Sequence, residues 1–188
     1  MKAPARSEDA MPTTRTSQQW WEETRKEPAR LVDWLLDQYR GEATAAGRIE
    51  GLRDTYAQGD AKARRILTVI AAQERQHARW VGGLLRARGL EPAVQDKTER
   101  YWEQPLAAIQ DLESGCAVGA HAERMRLERI EVIASDPEAP EDVRAVFRRI
   151  LPQERFHERA FRALAGATAL EATRGAHELG RTALGLSP

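Results

Sequence analysis

The sequence predicts an all-α protein built as a four-helix bundle, and three observations carry that prediction. Apolar residues recur every three or four positions along four long stretches, the spacing of a buried helical stripe. Short polar turns rich in Gly and Pro separate the first stretch from the second and the third from the fourth. No stretch sustains the period-two alternation of a strand.

Each element can be justified in order. Residues 1–16 hold Pro, Thr, Ser and charge without periodicity, which predicts a disordered arm. Residues 17–188 are then expected to form a single domain, with its bundle core at about 28–165. Ser17 to Lys26 suits a short helix carrying Trp20 and Trp21. Glu27-Pro28 starts the first long helix, since Pro is tolerated in a first turn, and that helix should run to Ala57. Gln58-Gly59-Asp60 forms a tight turn in which Asp60 caps a second helix reaching Arg88, and Gly89 ends it.

Residues 89–104 make a connection with a short helix expected around Thr98–Trp102. Extended, it reaches roughly 50 Å, enough to cross the length of a first helix of about 43 Å. A third helix is expected from Pro105 to Ser135, broken by Asp136-Pro137-Glu138-Ala139-Pro140. A fourth runs from Glu141 to about Ala165, and residues 168–186 read as a further, less apolar helix. Pro152 cannot donate to the Arg148 carbonyl, so a kink or bulge is expected there. The result is two antiparallel helical hairpins joined by a crossover, with extra helical segments at both ends.

Composition excludes several functions. Lys+Arg and Asp+Glu balance at 29 each, which argues against a nucleic-acid binder with a basic excess. Apolar runs are only a few residues long, so no membrane span is expected, and the N-terminus lacks the apolar core of a signal peptide. One cysteine, Cys116, excludes an internal disulfide framework and a four-cysteine metal knuckle. A cytoplasmic protein is the expectation.

Two short stretches nearly repeat: Gln73-Glu74-Arg75-Gln76-His77-Ala78-Arg79 and Gln153-Glu154-Arg155-Phe156-His157-Glu158-Arg159. Over the wider windows 70–85 and 150–165, seven of sixteen positions agree, which pairs the second helix with the fourth. Each repeat holds a Glu-x-x-His, and one helical turn brings Glu and His onto the same face. Register decides which face. Ile66, Ile70, Glu74, His77, Val81 and Leu84 form one stripe, and Phe147, Ile150, Glu154, His157, Phe161 and Leu164 form another. Both motifs therefore fall on the core-facing line, where a charged Glu is costly unless paired or metal-bound.

Hairpin geometry supplies the other carboxylates. With a turn near 58–59, the position level with 75–76 is near 41–42, where Glu42 lies in the stripe Leu31, Leu35, Glu42, Ala45, Ile49, Leu52. With a turn near 138–139, the partner of 155–156 is near 121–122. Glu123 is one position away, in the stripe Ile109, Leu112, Cys116, Gly119, Glu123, Leu127, Ile130. Glu50, Glu128 and Glu131 fall off level or off the stripe and read as solvated. Four Glu and two His make a hard, oxygen-rich donor set for a pair of divalent or trivalent ions; iron, manganese or mixed occupancy suits it, and zinc could also occupy it. Four ionised carboxylates would balance two divalent cations. His121 is read as a partly exposed helix residue and His177 as a surface residue, both outside the motif.

Gly41-Glu42, Glu74-x-x-His77, Gly119-x-His121-x-Glu123 and Glu154-x-x-His157, in that order over about residues 28–165, resemble the ferritin-like superfamily, most closely the rubrerythrin-type di-iron domain. The resemblance implies two irons that react with peroxide or dioxygen, in peroxide reduction or ferrous-iron oxidation. It also admits hydroxylation of a small organic substrate, or iron storage without turnover. It further implies that Glu42, Glu74, His77, Glu123, Glu154 and His157 are both the ligands and the catalytic residues. Where the family carries an additional Glu, this chain has Ala120. Where it carries Tyr residues beside the ligands, this chain has Ile49 and Glu128. The four cysteines of a rubredoxin domain are absent from the sequence, so an external electron donor is expected, together with a homodimer and neither nucleic-acid nor membrane partners.

Overall fold

A computed structural model describes residues 15–94, 100–184 and 186. Among them there is no strand. The helices are α1 (Ser17–Lys26), α2 (Pro28–Tyr56), α3 (Ala61–Arg86), α4 (Glu103–Ala107), α5 (Leu112–Ser135) and α6 (Glu141–Ala183). The arm expected at 1–16 falls on residues 1–14, outside the described residues; Thr16 caps α1 in a reciprocal box with Gln19. The helix expected at Thr98–Trp102 lies partly outside them too, and Arg100–Trp102 is a single 3₁₀ turn.

The long helices pair as the sequence predicts. Asp60 Oδ1 accepts the backbone N–H groups of Lys62 and Ala63, fixing the start of α3. Gly89 ends the chain's rightward coil with φ of 76°, a left-handed position that favours glycine. α2 packs along α3, and α5 along α6, as two antiparallel hairpins; α2 and α5 touch far less. No helix among the described residues is long and apolar enough to cross a membrane.

Two expectations need correction. The helix from Pro105 to Ser135 is two helices. Asp111 caps α5 by accepting from the Ser114 N–H, while Ser114 Oγ accepts from the Asp111 N–H, and this box breaks the chain at 108–111. Pro152 does not interrupt α6: its dihedrals stay helical, it is exposed, and the Arg148 carbonyl goes without its helical donor, so no bulge forms there. The departure falls instead at Gly166, with φ of 72° and ψ of 169°, which divides α6 into two rods.

The core has two apolar layers. One gathers Leu31, Leu35, Leu85, Ile133, Phe147 and Ile150; the other gathers Ile49, Leu67, Ile70, Cys116, Ala120 and Phe161. In every long helix the candidate ligands fall between residues of one layer and residues of the other. A polar layer is thus closed above and below by hydrocarbon. α1 closes one end: Trp21 is fully buried against the first layer, its indole N–H donates to Asp136 Oδ2 at 2.7 Å, and Arg25 pairs with the same carboxylate at 3.1 Å. At the C-terminal rod Gly180 lies on Tyr101, where a Cβ would come within 2.7 Å of the ring and 2.8 Å of the backbone oxygen.

Truncating Trp21→Ala removes a whole buried indole and its hydrogen bond. Denaturant unfolding should show a loss of about 3–5 kcal/mol, and an unchanged midpoint would contradict this account of α1.

Candidate metal centre

All six predicted side chains come together. Glu42, Glu74, His77, Glu154 and His157 have no exposed surface, and Glu123 is 5 % exposed. They form two groups whose nitrogen and oxygen atoms lie within 4.8 Å of one another: Glu42, Glu74, His77 and Glu154 in one, Glu74, Glu123, Glu154 and His157 in the other. Glu74 and Glu154 belong to both. His77 Nδ1 lies 3.4 Å from Glu154 Oε1 and 3.5 Å from Glu42 Oε2. His157 Nδ1 lies 3.0 Å from Glu74 Oε1 and 3.5 Å from Glu154 Oε2. The competitors stay outside: Glu131 pairs with Arg155, Glu128 with Arg181, and Glu50 with Arg75.

The imidazoles are aimed by residues that the sequence reading gave no role. His77 Nε2 is 2.9 Å from Gln153 Oε1, and His157 Nε2 is 2.8 Å from Gln73 Oε1. An amide oxygen only accepts, so each Nε2 carries a proton and each Nδ1 faces inward. The glutamine of each repeat therefore holds the histidine of the other repeat across the α3–α6 contact. The signal was visible, since Gln73 and Gln153 are among the repeated positions. Gln38 donates to Glu42 Oε1 at 2.5 Å, one turn before it on α2.

A second addition is Arg126, one turn after Glu123 on α5. Its Nη1 reaches Glu42 Oε2 at 3.1 Å, Glu74 Oε2 at 3.3 Å and Glu154 Oε1 at 3.4 Å. The balance of four carboxylates against two divalent ions thus gains one positive charge. Spacing hinted at Arg126 only weakly, because Arg124 and Arg129 share the same segment and all three look alike in sequence.

Electrostatics divides the carboxylates. Burial pushes every one of them up. For Glu42 and Glu154 the Arg126 guanidinium and the nearby imidazoles overcome burial and hold the carboxyl below its usual range, well below for Glu154. Glu74 rises to about 7 from burial and from the charges of Glu42 and Glu154. Glu123 rises well above the carboxylate range from burial and Glu154. Burial opposes protonation of His77, but the neighbouring Glu154 and Glu42 carboxylates raise it to about 10, and Glu154 and Glu74 raise His157 likewise. The effect is one of proximity. Both Nδ1 atoms, with Glu74 Oε1, Glu123 Oε2 and Glu154 Oε2, are buried without a hydrogen-bond partner of adequate geometry.

Those converging unsatisfied donors are what a pair of cations would satisfy. The set contains no thiolate: the Cys116 thiol is buried away from it and pushed up to about 12 by that burial. The donors fit two ions, with Glu42 and His77 at one position, Glu123 and His157 at the other, and Glu74 and Glu154 common to both. His121 is partly exposed, as the sequence suggested, whereas His177 is half-buried rather than at the surface. His121 and His177 stack half-buried at 4.7 Å, with His121 Nε2 on the Leu170 carbonyl and His177 Nδ1 on the Tyr101 hydroxyl.

Four rods that bring carboxylates and imidazoles into one buried cluster define a ferritin-like protein with a site compatible with two metal ions. Within that class, the rubrerythrin family model matches residues 33–165, and the chain belongs to that family. Neither a curated protein nor a solved structure matches it.

Two predictions follow from the charges. Arg126→Gln leaves four buried carboxylates without their cation; thermal or denaturant melts of chelator-treated protein should show a loss of about 3 kcal/mol or more, reversed by added divalent metal. Metal ligation requires deprotonated Glu74, Glu123, His77 and His157, whose hold on protons the metal-free cluster strengthens. Apparent metal affinity should therefore fall as pH falls through the Glu74 value of about 7 and keep rising toward the His77 value of about 10. Calorimetry in buffers of different ionisation enthalpy should record proton release on cobalt binding, and pH-independent affinity would refute the assignment.

Proposed function

We propose that this chain is a di-iron oxidoreductase in which the buried carboxylate and imidazole cluster holds two iron ions and reacts with peroxide or dioxygen. Peroxide reduction or oxidation of ferrous iron is the turnover we assign. The observation that carries this reading is the meeting of Glu42, Glu74, His77, Glu123, Glu154 and His157 from four helices, with Glu74 and Glu154 common to both groups. Manganese or a mixed pair suits the same donors. When bound, such ions supply one-electron redox steps and Lewis acidity.

The protein's own part is geometric and electrostatic. Gln73 and Gln153 hold the two imidazoles with Nδ1 inward, and Gln38 steadies Glu42. The two apolar layers keep bulk water from the polar layer, which strengthens every charge interaction inside. Arg126 neutralises part of the carboxylate charge, and with Glu123 it lines a cavity open to solvent, the side from which an oxidant arrives. An external electron donor is part of the proposal, as is a homodimer.

One observation favours a second reading, the oxidation of a small organic substrate. The same cavity has a volume of about 860 Å³ and apolar walls that include Trp34, Ile49, Leu52 and Phe161. Wholly solid packing beside Glu123 would have left room for nothing larger than peroxide.

Glu74→Ala and His157→Ala should each abolish metal loading, read by elemental analysis, and turnover with hydrogen peroxide after anaerobic reconstitution with ferrous iron. Full turnover by a metal-free variant would refute the proposal.

A further inference from the structure

The contact between α2 and α5 is the loosest among the long helices, and the 860 Å³ cavity lies there. That volume is in the range of sites for small organic ligands, roughly 300–1,000 Å³. Its walls are mixed in a specific way. Trp34, Ile49, Leu52 and Phe161 supply hydrocarbon, whereas six arginines and only four acidic residues supply charge. Most of those arginines are engaged. Arg30 pairs with Glu23 and Glu27, Arg40 with Asp37, and Arg126 with the carboxylate cluster.

Arg129 is different. It is half-buried and lines the cavity, with its guanidinium carbon 4.7 Å over the Trp20 ring. No carboxylate oxygen among the described residues lies within the 4.0 Å of an ion pair, and burial pulls its pKa down with only partial relief from Glu128. A stacked guanidinium keeps its planar edge free for two parallel hydrogen bonds to a carboxylate. A half-buried, partly desolvated cation without a close counter-ion beside an apolar cavity is complementary to an organic anion.

We propose that the α2–α5 cavity binds a small carboxylate with an apolar body, its acid group paired with Arg129 and its carbon skeleton packed on Trp34, Ile49, Leu52 and Phe161. Arg129 and Glu123 are six positions apart on α5, about 9 Å of helix rise. Held by its acid group, the ligand extends its hydrocarbon end toward Glu123 and so toward the metal-ligating cluster. This deepens the second functional reading by naming a substrate class. The binding step itself needs only the cavity and Arg129.

Decanoate is the probe. Titrated into the full chain, both chelator-treated and metal-loaded, it should bind with saturable one-to-one stoichiometry by calorimetry and perturb the tryptophan fluorescence. Decanol, with the same chain and no charge, should bind about tenfold more weakly or worse, as should decanoate to Arg129→Gln, while Arg129→Lys retains part of the affinity. Metal content of the Arg129 variants should equal that of the parent, which separates this test from the fate of the metal centre. The proposal is overturned if decanoate fails to bind, if decanol binds equally well, or if Arg129→Gln leaves decanoate affinity unchanged. It is equally overturned if light scattering shows a dimer in which decanoate is excluded, since the cavity is then an interface between copies.

Discussion

Burying four carboxylates in one layer of a helical bundle is the constraint on which the rest of this structure depends. Like charges at such separations repel strongly once water is removed, and each carboxylate also loses its hydration. The fold answers with opposite charge drawn from inside the same layer. Arg126 contacts three of the four carboxylates, and both imidazoles turn Nδ1 toward the remaining oxygens. The resulting asymmetry, with Glu42 and Glu154 held low while Glu74 and Glu123 are pushed up, is the signature of a cluster short of positive charge. Metal ions are the natural remedy.

The architecture gives this layer a rigid side and an open side. On the rigid side, α3 and α6 carry the repeated motif, and each glutamine fixes the other helix's histidine. The imidazoles are therefore oriented by the contact between helices, so ligand geometry and helix packing are the same property. On the open side, α2 and α5 contribute one Glu each and stand far enough apart to leave a cavity beside them. In the proposed function this division would let the α3–α6 face set the metal geometry and the α2–α5 face admit what reacts with it.

Much of this was legible in the chain. The stripes through Glu74–His77 and Glu154–His157 forced both motifs inward, and hairpin levels then located Glu42 and Glu123. Helix limits fell within two residues where Asp60 or Gly89 marked them. The errors have separate physical causes. The Asp111–Ser114 box interrupts a periodicity that reads as continuous across 105–135, because a local side-chain cap outcompetes an apolar pattern over four residues. Pro152 looked disruptive, yet helical dihedrals continue through it. His177 looked like a surface residue because its partner His121 is 56 positions away, and only the return of the second rod of α6 stacks the two.

The sequence by itself determined the helical class, the two hairpins and the six converging side chains, since apolar periodicity dictates which face of a helix is buried and turn position dictates which levels meet. Only the tertiary structure decided which long side chains reach across. Arg126 enters the carboxylate layer whereas Arg129, one turn on, lies over Trp20 at the cavity wall, and nothing in their spacing distinguishes them. A flexible side chain goes where neighbouring helices place charge and space, and those neighbours exist only once the bundle has closed.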